Sequence, residues 1–262
     1  MSDVLVLCYH AVSPTWEAPL SVTPERFQHQ LETLLRRGYR GATFRDAVTR
    51  PPHRRTVAIT FDDAYRSVLA LAFPILDRLG LPATVFVPTS FAGASAPMAW
   101  PGIDHWSGGD HERELLPLGW PELRGLSERG WEIGSHTVSH PRLTQLDDRD
   151  LAAELGESKQ ACEEALGAPC GSIAYPYGDV DERVVRAARA AGYSHGAALP
   201  PVLHAPRPLE WPRTGIYHTD AAWRFRLKGS LAVRFVRLAR ARARSRDARR
   251  APYRRRSSRR RS

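Results

Sequence analysis

The chain contains few cysteines and no long apolar run. Its 262 residues include three cysteines, Cys8, Cys162 and Cys170, an odd number with no paired spacing. A disulfide framework is therefore not expected, and a reducing compartment fits this usage. No stretch approaches the roughly 20 apolar residues of a transmembrane helix. The opening residues, MSDVLVLCYHAV, lack the basic start of an export signal. We expect a soluble, cytoplasmic protein.

Basic charge is scarce in most of the chain, although the net charge is +10. Residues 224–262 hold seventeen of the 38 Lys and Arg residues but only one of the 28 acids, so their net charge is +16 and that of residues 1–223 is −6. We predict a folded domain over residues 1–223 and an Arg-rich basic tail over residues 224–262.

Two interpretations of the tail follow from its composition. Apolar residues at helical spacing in Gly229–Arg250 predict a basic amphipathic helix, which would lie on an anionic membrane surface. This would place the protein peripherally at the inner membrane face. The residues after Pro252, YRRRSSRRRS, predict disorder. The alternative is a solvated tail that binds any polyanion without specificity, nucleic acid included.

Short apolar segments alternate with helical ones along the rest of the chain, which predicts a parallel α/β architecture. The predicted strands are Val4–Tyr9, Tyr39–Phe44, Val57–Phe61, Ala83–Val87, Trp131–Gly134, Ser172–Tyr175, Tyr193–Leu199 and Glu210–Arg213. The predicted helices are Pro24–Gly38, Tyr65–Leu79, Pro121–Arg129, Asp147–Gly167 and Val180–Ala191. Between the fourth strand and the third helix, Thr89–Gly119 is rich in Gly, Pro, Ser and Trp, as lids and binding loops are.

Two adjacent carboxylates, Asp62 and Asp63, stand at the end of the predicted strand Val57–Phe61. Neighbouring like charges repel, so folds rarely place them together for stability. A metal ion or a reacting proton makes such a pair favourable, because one carboxylate ligates while the other acts as a base. The alternative from these residues alone is a helix N-cap, since a helix is predicted to follow.

A second group of polar residues follows other predicted strands. His136 and His140, four residues apart, can reach one ion if they stand on a helical turn. With Asp63 they would form a two-histidine, one-carboxylate face that leaves positions open for water and substrate. His10, Arg213 and the turn Tyr175–Gly178 also follow predicted strands. Because strand carboxyl ends form the active site of α/β barrels, we expect these residues to converge.

The motifs TFDD, HTVSH and YPYG, in this order, resemble those of the NodB-homology polysaccharide deacetylases, carbohydrate esterase family four. The resemblance covers roughly residues 1 to 215 and implies a deformed (β/α) barrel. It implies that Asp62 is the general base and that the metal ligands are the three residues of the face described above. It also implies that the Tyr177 backbone N–H stabilises the oxyanion.

Two positions depart from the usual family pattern. Ala174 stands where the third motif carries an Arg, and Leu203–His204 does not match the late Leu-x-His motif that supplies the general acid. The segment VLCYH resembles the branch that deacetylates poly-N-acetylglucosamine, in which an N-terminal His is the acid. That resemblance assigns the acid to His10, and Arg213 is predicted to replace the missing Arg beside Asp62.

The function implied by the resemblance is hydrolysis of N-acetyl groups on an amino-sugar glycan or glycan intermediate, with a divalent metal, zinc by default for His and carboxylate ligands. The second hypothesis is a catalytically inactive carbohydrate-binding module on the same barrel, favoured by the two departures and opposed by the complete Asp-Asp-His-His set. A third is a nucleic-acid-associated protein that acts through its tail.

Overall fold

The centre of the computed structural model, which describes residues 3–200 and 204–230, is a parallel β-sheet. Its strands are β1 (Asp3–Tyr9), β4 (Arg40–Ala42), β5 (Arg55–Phe61), β6 (Thr84–Val87), β7 (Glu132–Ser135), β8 (Ser172–Ala174), β9 (His195–Ala198), β10 (Trp211–Pro212) and β11 (Thr214–Gly215). A separate pair is formed by β2 (Ala11–Val12) and β3 (Ser21–Val22). The α-helices are α1 (Pro24–Arg36), α2 (Phe44–Thr49), α3 (Phe73–Arg78), α4 (Trp120–Glu128), α5 (Asp148–Leu166), α6 (Glu182–Ala190) and α7 (Ala222–Lys228).

The sheet is nearly closed into a barrel by one short segment. Its strands follow the order β10-β9-β8-β7-β6-β5-β1-β11, and β4 pairs with the first half of β5. Only Arg213 separates β10 from β11, yet β10 pairs with β9 at one edge and β11 pairs with β1 at the other. All of these pairings are parallel, so the carboxyl ends of the strands meet at one end of the barrel. The predicted α/β barrel is confirmed.

The barrel interior is narrow, and small residues occupy many of its positions. The inward positions of β1, β4, β5, β6, β8 and β9 form one buried cluster, which α2 joins at the amino-terminal end of the strands: Val6, Ala42, Ala58, Phe86, Ala174, Ala197, Phe44 and Ala47. The alternate positions of the strands, such as Leu5 and Leu7, pack in the larger cluster beneath the helices. A Cβ on Gly134 would lie 2.7 Å from the Phe86 ring, so only glycine fits beside that ring.

Two predicted elements differ from the observed ones by more than their end residues. The predicted strand Tyr39–Phe44 is limited to β4, because the Thr43 hydroxyl accepts the Asp46 N–H and caps α2 at Phe44. The predicted helix Tyr65–Leu79 is not a single α-helix but a π-helical turn, Val68–Ala72, followed by α3. Pro74 has no N–H to continue the α-helical pattern, and the Phe73 N–H bonds to the Val68 carbonyl instead.

The carboxyl-terminal end of the described chain is α7, which crosses the predicted boundary at residue 223. Phe225 on this helix is buried against the barrel domain. Most of the predicted tail helix Gly229–Arg250, and the segment beyond it, lie outside the described residues and stay predictions. Among the described residues, no helix has both the length and the apolar character needed to span a bilayer.

Candidate active site

A cleft of about 460 Å³ opens at the carboxyl ends of the barrel strands. Six of the predicted site residues line it: His10, Asp62, Asp63, His136, His140 and Tyr177. The seventh, Arg213, lies buried beside Asp62. Aromatic walls are supplied by Trp16, Trp100, Trp106 and Tyr217. The structure therefore brings together every residue that the motifs suggested, from five different strand ends.

Asp62 and Arg213 form a buried, bidentate ion pair. Arg213 Nη1 donates to Asp62 Oδ1 at 2.6 Å, and Nη2 donates to Oδ2 at 2.7 Å. Nη1 also donates to the Thr60 hydroxyl at 3.0 Å, and the guanidinium lies 5.5 Å from the centre of the Phe86 ring. Ala174 and Ala197 belong to the same buried cluster as Phe86. A long side chain at either position would compete with the Arg213 guanidinium for the space beside Phe86. The predicted contact between Arg213 and Asp62 is present.

The ion pair keeps Asp62 ionised, as a base must be. Burial favours the neutral carboxyl, but the Arg213 guanidinium outweighs it and lowers the pKa of Asp62 to about 2. Cys8 completes the surroundings of this carboxylate, because its Sγ lies 3.4 Å from Asp62 Oδ2. Burial raises the pKa of the Cys8 thiol well above its usual value, so the neutral S–H is the donor. No local pattern in the sequence indicates this contact.

This pKa predicts a loss of stability in acid. A carboxyl whose pKa is about 2 in the folded protein and 3.8 in the unfolded chain contributes about 2 kcal/mol of stability above pH 4, lost as the pH falls toward 2. We expect the free energy of unfolding, measured with urea, to fall more steeply with pH in the wild type than in Asp62→Asn. Parallel pH dependences in the two proteins would contradict the ion pair's role.

Asp63, His136 and His140 point three donor atoms at one place. Asp63 Oδ1 lies 3.3 Å from Nε2 of each histidine, and the three donor atoms lie within 4.8 Å of one another. Ligands about 2.0–2.1 Å from a tetrahedral ion are separated by about 3.3–3.4 Å. Asp63 Oδ1 is buried without an aligned hydrogen-bond donor, as an oxygen that faces a cation would be. One carboxylate and two imidazoles fit a divalent ion of the zinc type.

The ionisation of Asp63 and the hydrogen bond of His136 fit the same use. Burial opposes ionisation of Asp63, but the imidazoles of His136 and His140 outweigh it and lower the pKa of the carboxyl well below its usual value. His136 Nδ1 lies 2.8 Å from the Ala174 carbonyl, which fixes the hydrogen on Nδ1 and leaves Nε2 free to ligate. The Trp100 ring stacks on His140 with 4.1 Å between ring centres.

The two histidines do not stand on a helical turn, which corrects the sequence-based prediction. Residues 136–140 form a loop in which Thr137 and His140 have φ of 70° and 62°. Glu154 on α5 holds this loop, because its Oε2 accepts the N–H groups of Val138 at 2.8 Å and Ser139 at 3.0 Å. The histidines meet through the loop's turns and not through helical periodicity. Nothing in the spacing of the motif indicates Glu154.

Glu154→Gln is therefore expected to weaken metal binding without removing a ligand. The amide offers a single oxygen and no charge to the two N–H groups, and loss of such a supporting contact costs about 10–100-fold in metal affinity. Zinc competition with a chromogenic chelator measures this change. Glu157→Gln, an exposed position on the same helix, is the matched control. Equal affinities in the two variants would show that Glu154 does not position the ligands.

Tyr177 lines the cleft from a strained turn. The turn Pro176–Gly178 is held by the Gly178 N–H on Tyr175 O and the Asp179 N–H on Pro176 O, and neither bond uses the Tyr177 N–H. Tyr177 has a φ of 59°. A Cβ on Gly178, where φ is 68°, would lie 2.7 Å from the Leu199 carbonyl. The turn therefore requires glycine beside the tyrosine.

Backbone strain is concentrated at this site. Across the described residues, the non-glycine positions with left-handed φ all lie in the three turns that carry the motifs: Asp63, Ala64, Thr137, His140 and Tyr177. Such conformations cost about 1–3 kcal/mol each and persist where the surrounding structure fixes them, most often at functional sites. The strain is an observation independent of the motifs, and it marks the same residues.

His10 lies in the cleft with a buried Nδ1 that has no hydrogen-bond partner. One of its ring nitrogens is within 4.8 Å of both the Cys8 sulfur and an Asp62 carboxylate oxygen. Burial lowers the pKa of His10, against the pull of Asp63 and Asp62. His204, the residue of the incomplete late motif, does not line the cleft. Apart from His136 and His140, His10 is therefore the described histidine that lines the cleft and can contact a substrate there.

Comparison with known proteins places the chain among deacetylases. Residues 49–196 match the family described as polysaccharide deacetylase. A polysaccharide deacetylase-type protein of Bacillus subtilis, YxkH, is 26% identical over 201 residues, which cover 75% of this chain and 64% of that protein. The poly-β-1,6-N-acetyl-D-glucosamine N-deacetylase of Staphylococcus aureus N315 is 23% identical over 184 residues, 67% of this chain and 58% of that enzyme. The chain thus spans less than two thirds of these curated relatives.

Solved structures share the fold. The deacetylase PplD of Streptococcus pyogenes, in complex with acetate, superposes with a TM-score of 0.71 at 23% identity, over 87% of this chain and 98% of that one. IcaB of Ammonifex degensii superposes with a TM-score of 0.70 at 22% identity, over 89% and 98% of the two chains. The resemblance drawn from the motifs is confirmed: the chain belongs to the polysaccharide deacetylase family, of the NodB-homology type.

Proposed function

We propose that this protein is a metal-dependent hydrolase that removes N-acetyl groups from an amino-sugar glycan and releases acetate. The observation that carries the proposal is the juxtaposition of two units in one cleft: a carboxylate held ionised by Arg213, and the donor set of Asp63, His136 and His140 beside it. A base next to a metal face is what amide hydrolysis by water requires.

Asp63, His136 and His140 would hold the divalent ion, zinc by the chemistry of the donors. When bound, such an ion polarises the acetyl carbonyl and lowers the pKa of water toward about 7. All three residues are buried, and His136 is fixed by the Ala174 carbonyl, so the donors are arranged before any ion arrives. Binding of the ion would therefore require little rearrangement of these side chains.

Asp62 would take the proton of the attacking water. Its bidentate pairing with Arg213 fixes the carboxylate and keeps it ionised at any pH above about 4. The Arg that this family carries on the third motif is replaced here by one at the barrel closure. An Arg at position 174 and Arg213 would reach the same part of the barrel interior. Ala174 belongs to the buried cluster that contains Phe86, and the Arg213 guanidinium lies over the Phe86 ring.

Two groups would act on the tetrahedral intermediate and its collapse. The Tyr177 N–H would donate to the oxyanion, the kind of contact whose removal costs about 10²–10³-fold in rate. His10 would give its proton to the sugar nitrogen as the C–N bond breaks. The carbonyl carbon gains the water oxygen and leaves as acetate, and the nitrogen leaves as a free amine. Each step uses a group that lines, or directly supports, the same cleft.

The aromatic walls support a sugar as substrate. Trp16, Trp100 and Trp106 line the cleft, and indole faces suit the apolar faces of pyranose rings. Part of this surface is already used, since Trp106 packs edge-on against Trp16 and Trp100 stacks on His140. We infer a short N-acetylhexosamine segment as the bound unit. Because the sequence predicts a cytoplasmic protein, we propose that its substrate is a glycan intermediate of biosynthesis.

Acetate release from N-acetylglucosamine oligomers by the zinc-loaded protein tests the proposal. The expected result is stoichiometric acetate and free amine, detected by proton NMR. The alternative, an inactive carbohydrate-binding module, predicts chemical-shift changes of the oligomers without acetate. Binding without release across β-1,4- and β-1,6-linked oligomers would overturn the hydrolase and leave that module.

A further inference from the structure

A second surface with its own chemistry lies on α7, away from the cleft. Trp223 is 59% exposed and Leu227 is 47% exposed, and they are the large hydrophobic side chains that the described residues leave most open to water. They stand four residues apart on one helix, so they face the same side. Phe225 between them is buried and anchors the helix to the barrel domain. An anchored helix with an open apolar face indicates a docking surface.

Arginines surround this apolar face. A pocket of about 570 Å³ is lined by Trp223 and Leu227 together with Arg37, Arg55 and Arg226. Arg55 Nη1 donates to the Arg37 carbonyl, and Arg37 Nη1 donates to the Arg226 carbonyl. None of the three forms an ion pair with a carboxylate of the described chain. We call these five residues the basic α7 surface.

Unbalanced charge decides what this surface accepts. Guanidinium groups gathered at one pocket repel each other, and an anionic partner relieves that repulsion. The residue opposite Arg55 in the β1–β5 register is an acid, Asp3. Its carboxylate accepts a hydrogen bond from the Tyr39 hydroxyl. Ser230, the last described residue, lines the pocket, and residues 231–262 of the sequence carry fourteen arginines and one acid.

We propose that the basic α7 surface docks on a bilayer that contains anionic lipids. Trp223 and Leu227 would enter the interface, and Arg37, Arg55 and Arg226 would pair with lipid phosphates. The following basic segment would add attraction to the same surface. The combination of an open indole, an open aliphatic side chain and guanidinium groups suits a membrane interface better than a purely polar polyanion, which offers nothing to Leu227.

The position of this surface sets the orientation of the enzyme. Arg55 begins β5 and Phe61 ends it, directly before Asp62. Seven residues of strand separate these ends by about 20 Å. The basic α7 surface therefore lies toward the amino-terminal end of the barrel, and the cleft lies at the other end. A docked protein would open its cleft away from the lipid, toward a glycan in the adjoining aqueous phase.

Vesicle sedimentation of the full chain tests the proposal. Phosphatidylcholine vesicles with and without about one-third phosphatidylglycerol are compared for the wild type, Trp223→Ser/Leu227→Ser and Arg37→Gln/Arg55→Gln/Arg226→Gln. Arg149→Gln/Arg186→Gln/Arg189→Gln removes the same charge from exposed helix positions elsewhere and keeps the basic tail. Circular dichroism verifies folding independently of any activity.

We expect both variants of the α7 surface to bind phosphatidylglycerol vesicles at least about ten-fold more weakly than the wild type, while the control triple variant binds as the wild type does. Two results would overturn the proposal. One is unchanged vesicle binding in both surface variants, which would assign all attraction to the tail. The other is an effect of the same substitutions on duplex DNA binding alone, which would make the partner a nucleic acid.

Discussion

Asp62→Asn is expected to lower the rate of acetate release by about 10²–10⁴-fold, the usual contribution of a general base, while leaving the bound metal in place. The amide keeps the shape of the carboxylate but cannot take a proton from water. The proposed metal donors are Asp63, His136 and His140, which the substitution does not touch. Metal content by mass spectrometry and acetate release are measured on the same preparation.

His136→Ala is the matched counterpart, because it removes one of the three donors and the ring that the Ala174 carbonyl orients. It is expected to lose both metal and activity. The two variants thus separate the base from the ligands, although their side chains line the same cleft. Equal metal loss in both would contradict this division of roles.

His10→Gln is expected to lose acetate release from N-acetylated sugars by a similar factor, about 10²–10⁴-fold, but to keep most of its activity on an aryl acetate. An amine leaves only with a proton, which we propose that His10 supplies, whereas a nitrophenolate leaves without one. Steady-state rates on the two substrates give the comparison. Asp62→Asn serves as the control, since loss of the base slows both reactions.

The ratio of the two rates identifies the acid. If His10→Gln slowed both substrates equally, His10 would orient the site or hold water but would not protonate the leaving group. The buried and unpartnered Nδ1 and the place of the residue in the cleft make the acid role the expected one.

Much of the fold was predictable because apolar strands and their polar ends leave local signatures. Val57–Phe61 is an apolar run that ends at two aspartates, and the run lies within β5. A parallel barrel gathers such ends at one rim, so the motifs after β5, β7 and β8 had to meet once the strands were placed. The order of the motifs then indicated the family that the chain resembles.

Other features depend on tertiary contacts that no local pattern contains. The His136–His140 loop is shaped by Glu154 on α5, and the spacing of the histidines equally fits a helix. The Cys8 contact with Asp62 arises from the pairing of β1 with β5. Left-handed backbone at Asp63 and Tyr177 conflicts with ordinary propensity, and the surrounding structure enforces it.

Arg213 is an intermediate case. The resemblance suggested it as the partner of Asp62, but the reason became visible only in the fold: one residue separates the two short strands that close the barrel. Its N–H bonds to the Ala198 carbonyl at 2.9 Å, which holds the backbone at the seam. The side chain therefore enters the barrel beside Thr60 and Asp62.

The most direct test is a titration of acetate release against added zinc, performed on metal-free protein with an N-acetylglucosamine oligomer. If Asp63, His136 and His140 hold the catalytic ion, activity rises linearly and stops at about one equivalent per chain, and the Asp63→Ala/His136→Ala/His140→Ala variant stays inactive at every zinc concentration. Acetate release by metal-free protein that zinc does not increase, or equal activity in the triple variant, would contradict the account.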